Sequence, residues 1–399
     1  MGKLDNISHL YKGLILRNRA FASFKVDELD TIYKDMVASK IANNTCVFDP
    51  MSGYGGGMLY FANKGLSTVN VELNPPAYYW QFLINPKNRT IVLDALYNIK
   101  GLRKLPKLSV KFSITDNLFG KEAVSHIEKL FELLLTQLKN RDLTISILLP
   151  FVARFANYQK NDTNFTHFKQ GGICSFQGWE KDFYNYIDEL EKCITNLNYL
   201  NDNHVNILGS ITDIDLDLKF NCFVTSPPYP NYRDYSKIFK IENWVLCNVI
   251  NNQSADFDQM IGSDVVKKKH YGVIYSDVAN KFLSELLEKS KKMSTKSRND
   301  IEVYYYPYFS LYFYNIQEAY NRLNSLLKNK AVGYIVVNNN ITRDIEVPVG
   351  KSICEIFSNM GYQFSVIDES EISHLGNIRK KAKRINSRHI RNIVKVWKK

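Results

Sequence analysis

Short runs of β-branched and apolar residues alternate with helical patterns along much of this chain, and this alternation constrains the fold more than any other feature. The seven strand-like runs occupy residues 45–49, 67–72, 204–208, 221–225, 333–338, 363–368 and 391–397. Strands that are separated by helices usually pair in parallel, because each helical crossover returns the chain to the end of the sheet at which the previous strand began. We therefore predict an α/β fold with a Rossmann-like, doubly wound, mostly parallel seven-stranded sheet. A hairpin at the end of the chain makes the last strand antiparallel.

Two stretches of the sequence are longer than this sheet requires. Residues 85–203 carry helical patterns at 126–138 and 179–197, separated by a polar, glycine-bearing stretch at 161–172, and we interpret them as a helical insertion. Residues 251–300 are basic and poor in hydrophobic periodicity, which is typical of a mobile lid, a loop that contacts nucleic acid or a plain surface loop. The remainder, 1–84 and 204–399, is predicted to form one discontinuous domain.

The composition indicates a globular protein with a sizeable core, since 45% of the 399 residues are hydrophobic and 23% are charged. The apolar stretches are shorter than the roughly 20 residues that cross a bilayer, and no signal-peptide core follows Met1. We therefore expect a soluble cytoplasmic protein. The six cysteines include no C-x-x-C pair, so we predict neither a zinc site nor a disulfide framework, and no metal cofactor.

The positive charge of the chain is concentrated near its carboxyl end. The formal net charge is +12, and residues 375–399 contain ten Lys and Arg residues without any Asp or Glu. Because residues 389–397 still alternate like a strand, we predict a folded basic hairpin that contacts nucleic-acid phosphates, while a merely solvated tail remains an alternative. The candidate phosphate-binding residues here are Arg379, Lys380, Lys381, Lys383, Arg384 and Arg388.

The segment after the first strand has the features of a cofactor loop. Asp49 ends the strand, and glycines at 53, 55, 56 and 57 let the backbone turn tightly and approach a ligand. The G-x-G-x-x-G spacing of dinucleotide-binding loops is missing. Glu72 ends the next strand, where a carboxylate accepts hydrogen bonds from ribose hydroxyls in such folds. An acid at each strand end suits a cofactor with a ribose and a positive charge, and S-adenosylmethionine has both.

A second distinctive segment, Thr225-Ser226-Pro227-Pro228-Tyr229, follows the strand-like run at 221–225. Two consecutive prolines fix φ and remove two backbone donors, which leaves carbonyl oxygens and the Ser226 hydroxyl able to accept hydrogen bonds. Tyr229 adds an aromatic face. These groups suit a nucleobase that carries an exocyclic amino group.

The two segments together resemble the amino-group DNA methyltransferases. The first segment, Asp49-Pro50-Met51-Ser52-Gly53-Tyr54-Gly55, is similar to their D-P-F-x-G-x-G cofactor motif, with Met51 in place of the usual Phe and Gly56 in place of the usual Thr. Glu72-Leu73-Asn74-Pro75 is similar to their second motif. Residues 207–213 stand where the family has its third, adenine-contacting element. The segment Ser226-Pro227-Pro228-Tyr229 resembles the catalytic motif of the cytosine-N4 members, whereas D-P-P-Y and N-P-P-Y are commoner in adenine-N6 members.

The resemblance implies a role for each matching residue. The implied S-adenosylmethionine-binding residues are Asp49, Pro50, Met51, Gly53, Tyr54, Gly55, Glu72, Leu73, Ser210, Ile211 and Thr225. Ser226, Pro227, Pro228 and Tyr229 are the implied catalytic residues, with Tyr229 stacking on a cytosine flipped out of double-stranded DNA. Arg233 and Lys237 are candidates for contacts with the flanking phosphates. The family also implies a microbial host and a restriction-modification or related defence system with a possible cognate endonuclease. The residues that read the DNA sequence are expected in 85–203, in 251–300 or in both, and the sequence does not decide between these.

Other activities compete with cytosine-N4 methylation of DNA. Carbon-5 methylation requires a cysteine nucleophile, usually after a proline, and none of the cysteines follows a proline. Adenine-N6 methylation stays open, because Ser226 favours cytosine without deciding the base. RNA methylation and a catalytically silent DNA-binding subunit also stay open. The sequence identifies neither the recognition site nor the oligomeric state.

Overall fold

The computed structural model describes residues 24–43, 45–102, 121–152, 158–160, 166–168, 179–197, 199–230, 239–250, 260–262, 272–371 and 390–398. These residues form a Rossmann-like α/β fold around a seven-stranded sheet, which confirms the predicted fold class. The strands of the sheet and of two short ribbons are β1 (Cys46–Asp49), β2 (Ser67–Glu72), β3 (Tyr158–Lys160), β4 (Thr166–Phe168), β5 (His204–Leu208), β6 (Phe220–Thr225), β7 (Leu327–Asn338), β8 (Asn340–Thr342), β9 (Ile345–Val347), β10 (Gln363–Glu371) and β11 (Ile390–Trp397).

Helices connect most of these strands. They are α1 (Val26–Ala38), α2 (Gly56–Asn63), α3 (Pro75–Ile84), α4 (Arg89–Lys100), α5 (Lys121–Leu138), α6 (Arg141–Val152), α7 (Trp179–Asn196), α8 (Lys240–Asn248), α9 (Asp277–Lys291), α10 (Thr295–Asn299), α11 (Tyr306–Ser325) and α12 (Val349–Asn359). A 3-10 turn (Pro86–Asn88) precedes α4, and a π-helical turn (Asp300–Tyr305) precedes α11.

The strand order of the large sheet is β10-β11-β7-β6-β1-β2-β5. β1 pairs in parallel with β2 on one side and with β6 on the other. The chain therefore adds β2 and β5 on one side of β1, and then crosses back to add β6 and β7 on the opposite side. The carboxyl ends of β1 and β6 border this reversal of strand order, called the switch point below. Open α/β sheets bind their ligands at such a point.

The last strand, β11, is antiparallel to both of its neighbours, β7 and β10, which confirms the predicted hairpin. Two of its cations are neutralised inside the protein. Arg391 Nη2 donates to Glu28 Oε2 of α1 at 2.9 Å, and Lys395 Nζ lies 2.6 Å from Asp35 of the same helix. Carboxylates of α1 therefore pair with the charges of Arg391 and Lys395, which were not among the candidate phosphate-binding residues, and a phosphate-binding role of the hairpin stays a prediction.

Alternate residues of the central strands face two different cores, as expected for a sheet covered on both sides. Phe48 and Phe223 pack against α9, α11 and α12, whereas Val47 and Cys222 pack against α1 and α2. The rings of Phe48 and Phe220 stack with centroids 4.2 Å apart. These contacts hold β1 and β6 side by side.

The helices of the insertion share one core with helices from the remainder of the chain. Helices α4 to α7 pack together with α3 and α8, and the bounds of α5 and α7 agree with the helical patterns at 126–138 and 179–197. The insertion also contains the ribbon of β3 and β4, which occupies part of the polar stretch predicted to be a loop.

The basic stretch 251–300 differs from the expected loop in its second half. Helix α9 buries Phe282, Leu283 and Leu286 on one face. Its lysines hide this amphipathic pattern in the sequence, because long cationic side chains on the exposed face dominate the composition. Residues 251–259 and 263–271 lie outside the described residues.

Gly333 of β7 sits against the ring of Phe223, where a Cβ atom would come within 2.0 Å of two ring carbons. We expect Gly333→Ala to lower the free energy of unfolding by at least about 2 kcal/mol, because the buried ring has no room to move. Chemical denaturation measures the change.

Gly56 is the matched control, since a Cβ atom there meets nothing within 4 Å. Gly56→Ala should change stability by less than about 0.5 kcal/mol. A second substitution, Phe223→Leu, should restore part of the stability lost in Gly333→Ala. Equal stability of the two alanine variants would contradict the packing described here.

Candidate functional site

The switch point brings the two sequence motifs together. Asp49 ends β1 and Thr225 ends β6. The register pairs Phe48, one residue before Asp49, with Phe223, two residues before Thr225. The Thr225 hydroxyl lies close enough to the Asp49 carboxylate to lower its pKa, although its oxygen makes no hydrogen bond within the described residues. The cofactor-like loop and the Ser-Pro-Pro-Tyr segment therefore leave the sheet from adjacent strand ends.

The glycine loop after β1 is attached to the end of β2. The Gly53 N–H donates to Glu72 Oε2 at 2.7 Å, and the Asn74 N–H donates to Glu72 Oε1 at 2.8 Å. Gly53 and Gly55 have φ values of 56° and 76°, a left-handed conformation that glycine adopts without strain. Each oxygen of Glu72 thus accepts one backbone N–H and keeps a lone pair for a further donor.

The side chain of Gln81 in α3 is hydrogen-bonded to the glycine loop, a contact that the sequence did not predict. Its Nε2 donates to Ser52 Oγ at 2.8 Å and also to the Gly53 carbonyl oxygen. Ser52 Oγ in turn donates to the Val71 carbonyl at 3.0 Å. Gln81 lies nine residues after Glu72 and is fully buried. In the sequence, its position as a single amide within an otherwise apolar helix was the signal that could have identified it.

Two uncompensated carboxylates face this loop. Burial raises the pKa of Asp49 to about 7, although the Met51 N–H and the Thr225 hydroxyl lower it. Burial also raises the pKa of Glu72 to about 8, against the lowering by the Asn74 and Gly53 N–H groups, and the Asp49 charge adds to the increase. Among the described residues, neither carboxylate takes part in an ion pair.

The Ser-Pro-Pro-Tyr segment is held by hydroxyl groups. Ser226 Oγ lies 2.9 Å from the Tyr229 hydroxyl, which donates to the Val336 carbonyl of β7 at 2.9 Å. The Tyr312 hydroxyl of α11 donates to the Pro228 carbonyl at 3.0 Å. Ser226 and Tyr229 are each only 8% exposed. The segment is therefore fixed by side chains from distant parts of the chain.

The third predicted element lies beside the second. The Gly209 N–H after β5 donates to the Glu72 carbonyl at 3.0 Å. The Ser210 and Thr212 hydroxyls are hydrogen-bonded at 2.7 Å. Ile211 is buried in the core that also contains Phe48 and Phe223. An adenine-contacting role for Ser210 and Ile211 stays a prediction.

Helix α8 and the residue before it contact the glycine loop and the residue before α3. The rings of Tyr54 and Phe239 lie 5.5 Å apart, and Asn243 Nδ2 donates to Asn74 Oδ1 at 3.3 Å. Asn74 Nδ2 and Asn243 Oδ1 are buried without a hydrogen-bond partner in the described part of the chain. Such atoms in a native protein call for an explanation, and a ligand-binding role is one.

The predicted site residues divide into two sets. The structure gathers around the ends of β1, β2, β5 and β6 the residues Asp49, Pro50, Met51, Gly53, Tyr54, Gly55, Glu72, Leu73, Ser210, Ile211, Thr225, Ser226, Pro227, Pro228 and Tyr229. The predicted DNA-binding residues Arg233, Lys237, Arg379, Lys380, Lys381, Lys383, Arg384 and Arg388 all lie outside the described residues.

Comparison with known protein families finds no matching family model, and no curated protein matches this sequence. Within the described residues, no group of three or more His, Cys, Asp or Glu side chains is placed to hold a metal ion. No helix in those residues is both long and apolar enough to span a membrane. A functional proposal has to rest on the chemistry of the strand ends.

Replacing Asp49 tests the charge of the site through stability. The folded state holds a proton on Asp49 up to about pH 7, whereas an unfolded aspartate releases it near pH 4. The contribution of Asp49 to stability is therefore largest in acid and is lost as the pH rises through about 7. Asp49→Asn should be more stable than the parent protein, and this advantage should grow by about 2 kcal/mol between pH 5 and pH 8.

Thermal or chemical unfolding at the two pH values measures this difference. Asp217, an exposed residue before β6, provides the matched control, and Asp217→Asn should show no comparable gain. If Asp49→Asn lost stability at pH 8, the carboxylate would have to be paired in the folded protein.

Proposed function

We propose that this chain is an S-adenosylmethionine-dependent DNA methyltransferase that transfers a methyl group to the exocyclic N4 amino group of a flipped cytosine in double-stranded DNA. The observation that carries the proposal is the meeting, near one switch point, of a buried and a partly buried carboxylate, neither of which has an ion-pair partner among the described residues, with a segment of hydrogen-bond acceptors. One half suits a cationic cofactor with a ribose. The other half suits an amino group.

The carboxylates support the cofactor assignment. Glu72 keeps one lone pair on each oxygen, and this is the arrangement that two neighbouring ribose hydroxyls need. Burial raises the pKa of Asp49 to about 7. A cation close to the carboxylate lowers this pKa again and favours the ionised form. A phosphate at this position would find no cation among the described residues of the site and would be repelled by either carboxylate in its ionised form. S-adenosylmethionine brings a ribose, an ammonium group and a sulfonium, and it supplies the methyl group when bound.

The acceptor segment supports the substrate assignment. Pro227 and Pro228 have no N–H, so the backbone presents only carbonyl oxygens next to the Ser226 hydroxyl. Acceptors around an exocyclic NH₂ draw its lone pair away from the ring and direct it at an electrophile. Because no covalent intermediate is required, the protein contributes mainly by aligning donor and acceptor atoms.

The base and the polymer are the finer parts of the proposal. Serine in the first position of the segment favours cytosine-N4 over adenine-N6, and the net charge of +12 favours a nucleic-acid partner. A cognate restriction endonuclease and a role in restriction-modification or a related defence system in the microbial cytoplasm belong to the same proposal.

Methyl transfer is tested directly with the purified chain. Unmethylated bacterial genomic DNA and S-adenosylmethionine with an isotopically labelled methyl group are incubated with the protein, and the digested nucleosides are analysed by mass spectrometry. We expect labelled N4-methyldeoxycytidine. Labelled N6-methyladenine would replace the base assignment, label in RNA alone would replace the polymer, and cofactor binding without label in either would indicate a silent binding subunit.

Two substitutions should separate cofactor binding from transfer. In Glu72→Gln, one of the two backbone N–H groups faces an amide NH₂ donor in place of a carboxylate oxygen and loses its hydrogen bond. We therefore expect the affinity for S-adenosylmethionine to fall at least about tenfold. Ser226→Ala should bind the cofactor like the parent protein and lose about 100-fold in transfer rate. Calorimetry measures the first effect, and the mass-spectrometric assay measures the second. Weakened cofactor binding in Ser226→Ala would mean that the two halves are not separate sites.

A further inference from the structure

The Tyr229 hydroxyl occupies a position that stacking on a base does not explain. It lies between Ser226 Oγ and the Val336 carbonyl oxygen, at 2.9 Å from each. Its hydrogen bond to Val336 anchors the segment on β7, whereas its contact with Ser226 joins two residues of the same segment and adds nothing to that anchor. The hydroxyl therefore has a function of its own.

The direction of these two hydrogen bonds follows from elementary bonding. The Val336 carbonyl has no proton and can only accept, so the single proton of the Tyr229 hydroxyl points at Val336. The contact between Ser226 and Tyr229 must then use the proton of Ser226. Ser226 Oγ is left with lone pairs alone toward any other neighbour.

On the basis of the proposed function, we propose that the Tyr229 hydroxyl is a specificity-determining group, because it fixes Ser226 as an acceptor-only contact for the target base. A serine without this neighbour rotates its hydroxyl to suit either a donor or an acceptor. Ser226 in the present arrangement attracts the amino group of cytosine or adenine. It repels the carbonyl oxygen that thymine or guanine carries at the corresponding position, because two acceptors then face each other.

The surroundings keep this arrangement rigid. Val336 is fully buried in β7, which pairs with β6 on one side and with β11 on the other. Tyr312 fixes the Pro228 carbonyl between the two bonded residues. Ser226 and Tyr229 cannot separate without breaking these contacts, so the polarity of Ser226 is set before a base arrives.

A double-mutant cycle tests the coupling between the two hydroxyls. Ser226→Ala, Tyr229→Phe and the double variant are compared with the parent protein by the rate of N4-methyldeoxycytidine formation at saturating DNA and cofactor. We expect Ser226→Ala to reduce the rate about 100-fold in the parent protein. In the Tyr229→Phe background the same change should reduce it only about tenfold, because the serine is no longer held in the accepting orientation.

Tyr362→Phe is the matched control. This tyrosine is also buried and donates its hydroxyl to Asn324 at 3.1 Å, but it lies beside the start of β10, an edge strand of the sheet, away from the switch point between β1 and β6. It should leave the effect of Ser226→Ala unchanged. An equal effect of Ser226→Ala with and without the Tyr229 hydroxyl would overturn the proposal, provided that Tyr229→Phe still binds S-adenosylmethionine.

A neutron structure of the perdeuterated protein tests the same polarity without relying on activity. Deuterium on Tyr229 should point at Val336, and deuterium on Ser226 should point at Tyr229. A deuterium on Tyr229 directed at Ser226 would overturn the proposal even in an active enzyme. Correct deuterium positions in a protein that methylates nothing would instead refute the proposed function and leave the hydrogen-bond polarity standing.

Discussion

The parallel pairing of β1 with β6 is the interaction on which the rest of the site depends. These strands are far apart in sequence, and their pairing reverses the order in which the chain adds strands to the sheet. The segments that follow them therefore diverge, and neither covers the strand ends completely. Asp49 and Thr225 meet there because the strands are adjacent. A slip of β6 by one residue against β1 would turn its side chains, including Thr225, toward the opposite core.

The treatment of buried charge separates structural from functional residues in this protein. Glu28 is buried and pairs with Arg391, so its charge is compensated within the fold. Asp49 and Glu72 accept backbone N–H groups and have no ion-pair partner in the described part of the chain, and burial raises the pKa values of both. A fold selected for stability alone would neutralise these two groups as it neutralises Glu28. Their cost is consistent with a site whose ligand brings the missing positive charge.

Local sequence patterns were sufficient to predict the sheet. The runs at 67–72 and 204–208 coincide with β2 and β5, because β-branched residues bounded by turn residues are a local signal. Contacts between distant residues were not predictable in this way. No spacing rule connects Gln81 with Ser52, or Tyr312 with Pro228, since both pairs are set by how helices cross the sheet. The same limit applies to Arg391, whose partner Glu28 on α1 is far away in the sequence.

The two halves of the site are built from different materials, and this affects how each can change. The cofactor half is made of backbone N–H groups around Glu72, so most substitutions there disturb the path of the chain itself. The base half is held by two hydroxyls, since Tyr229 of the segment donates to the Val336 carbonyl and Tyr312 of α11 donates to the Pro228 carbonyl. Exchange of a single side chain at position 226 alters what the segment accepts and leaves its anchors on β7 and α11 intact. On the proposed function, base preference is therefore the property that this scaffold changes most easily, and cofactor choice is the property that it resists changing.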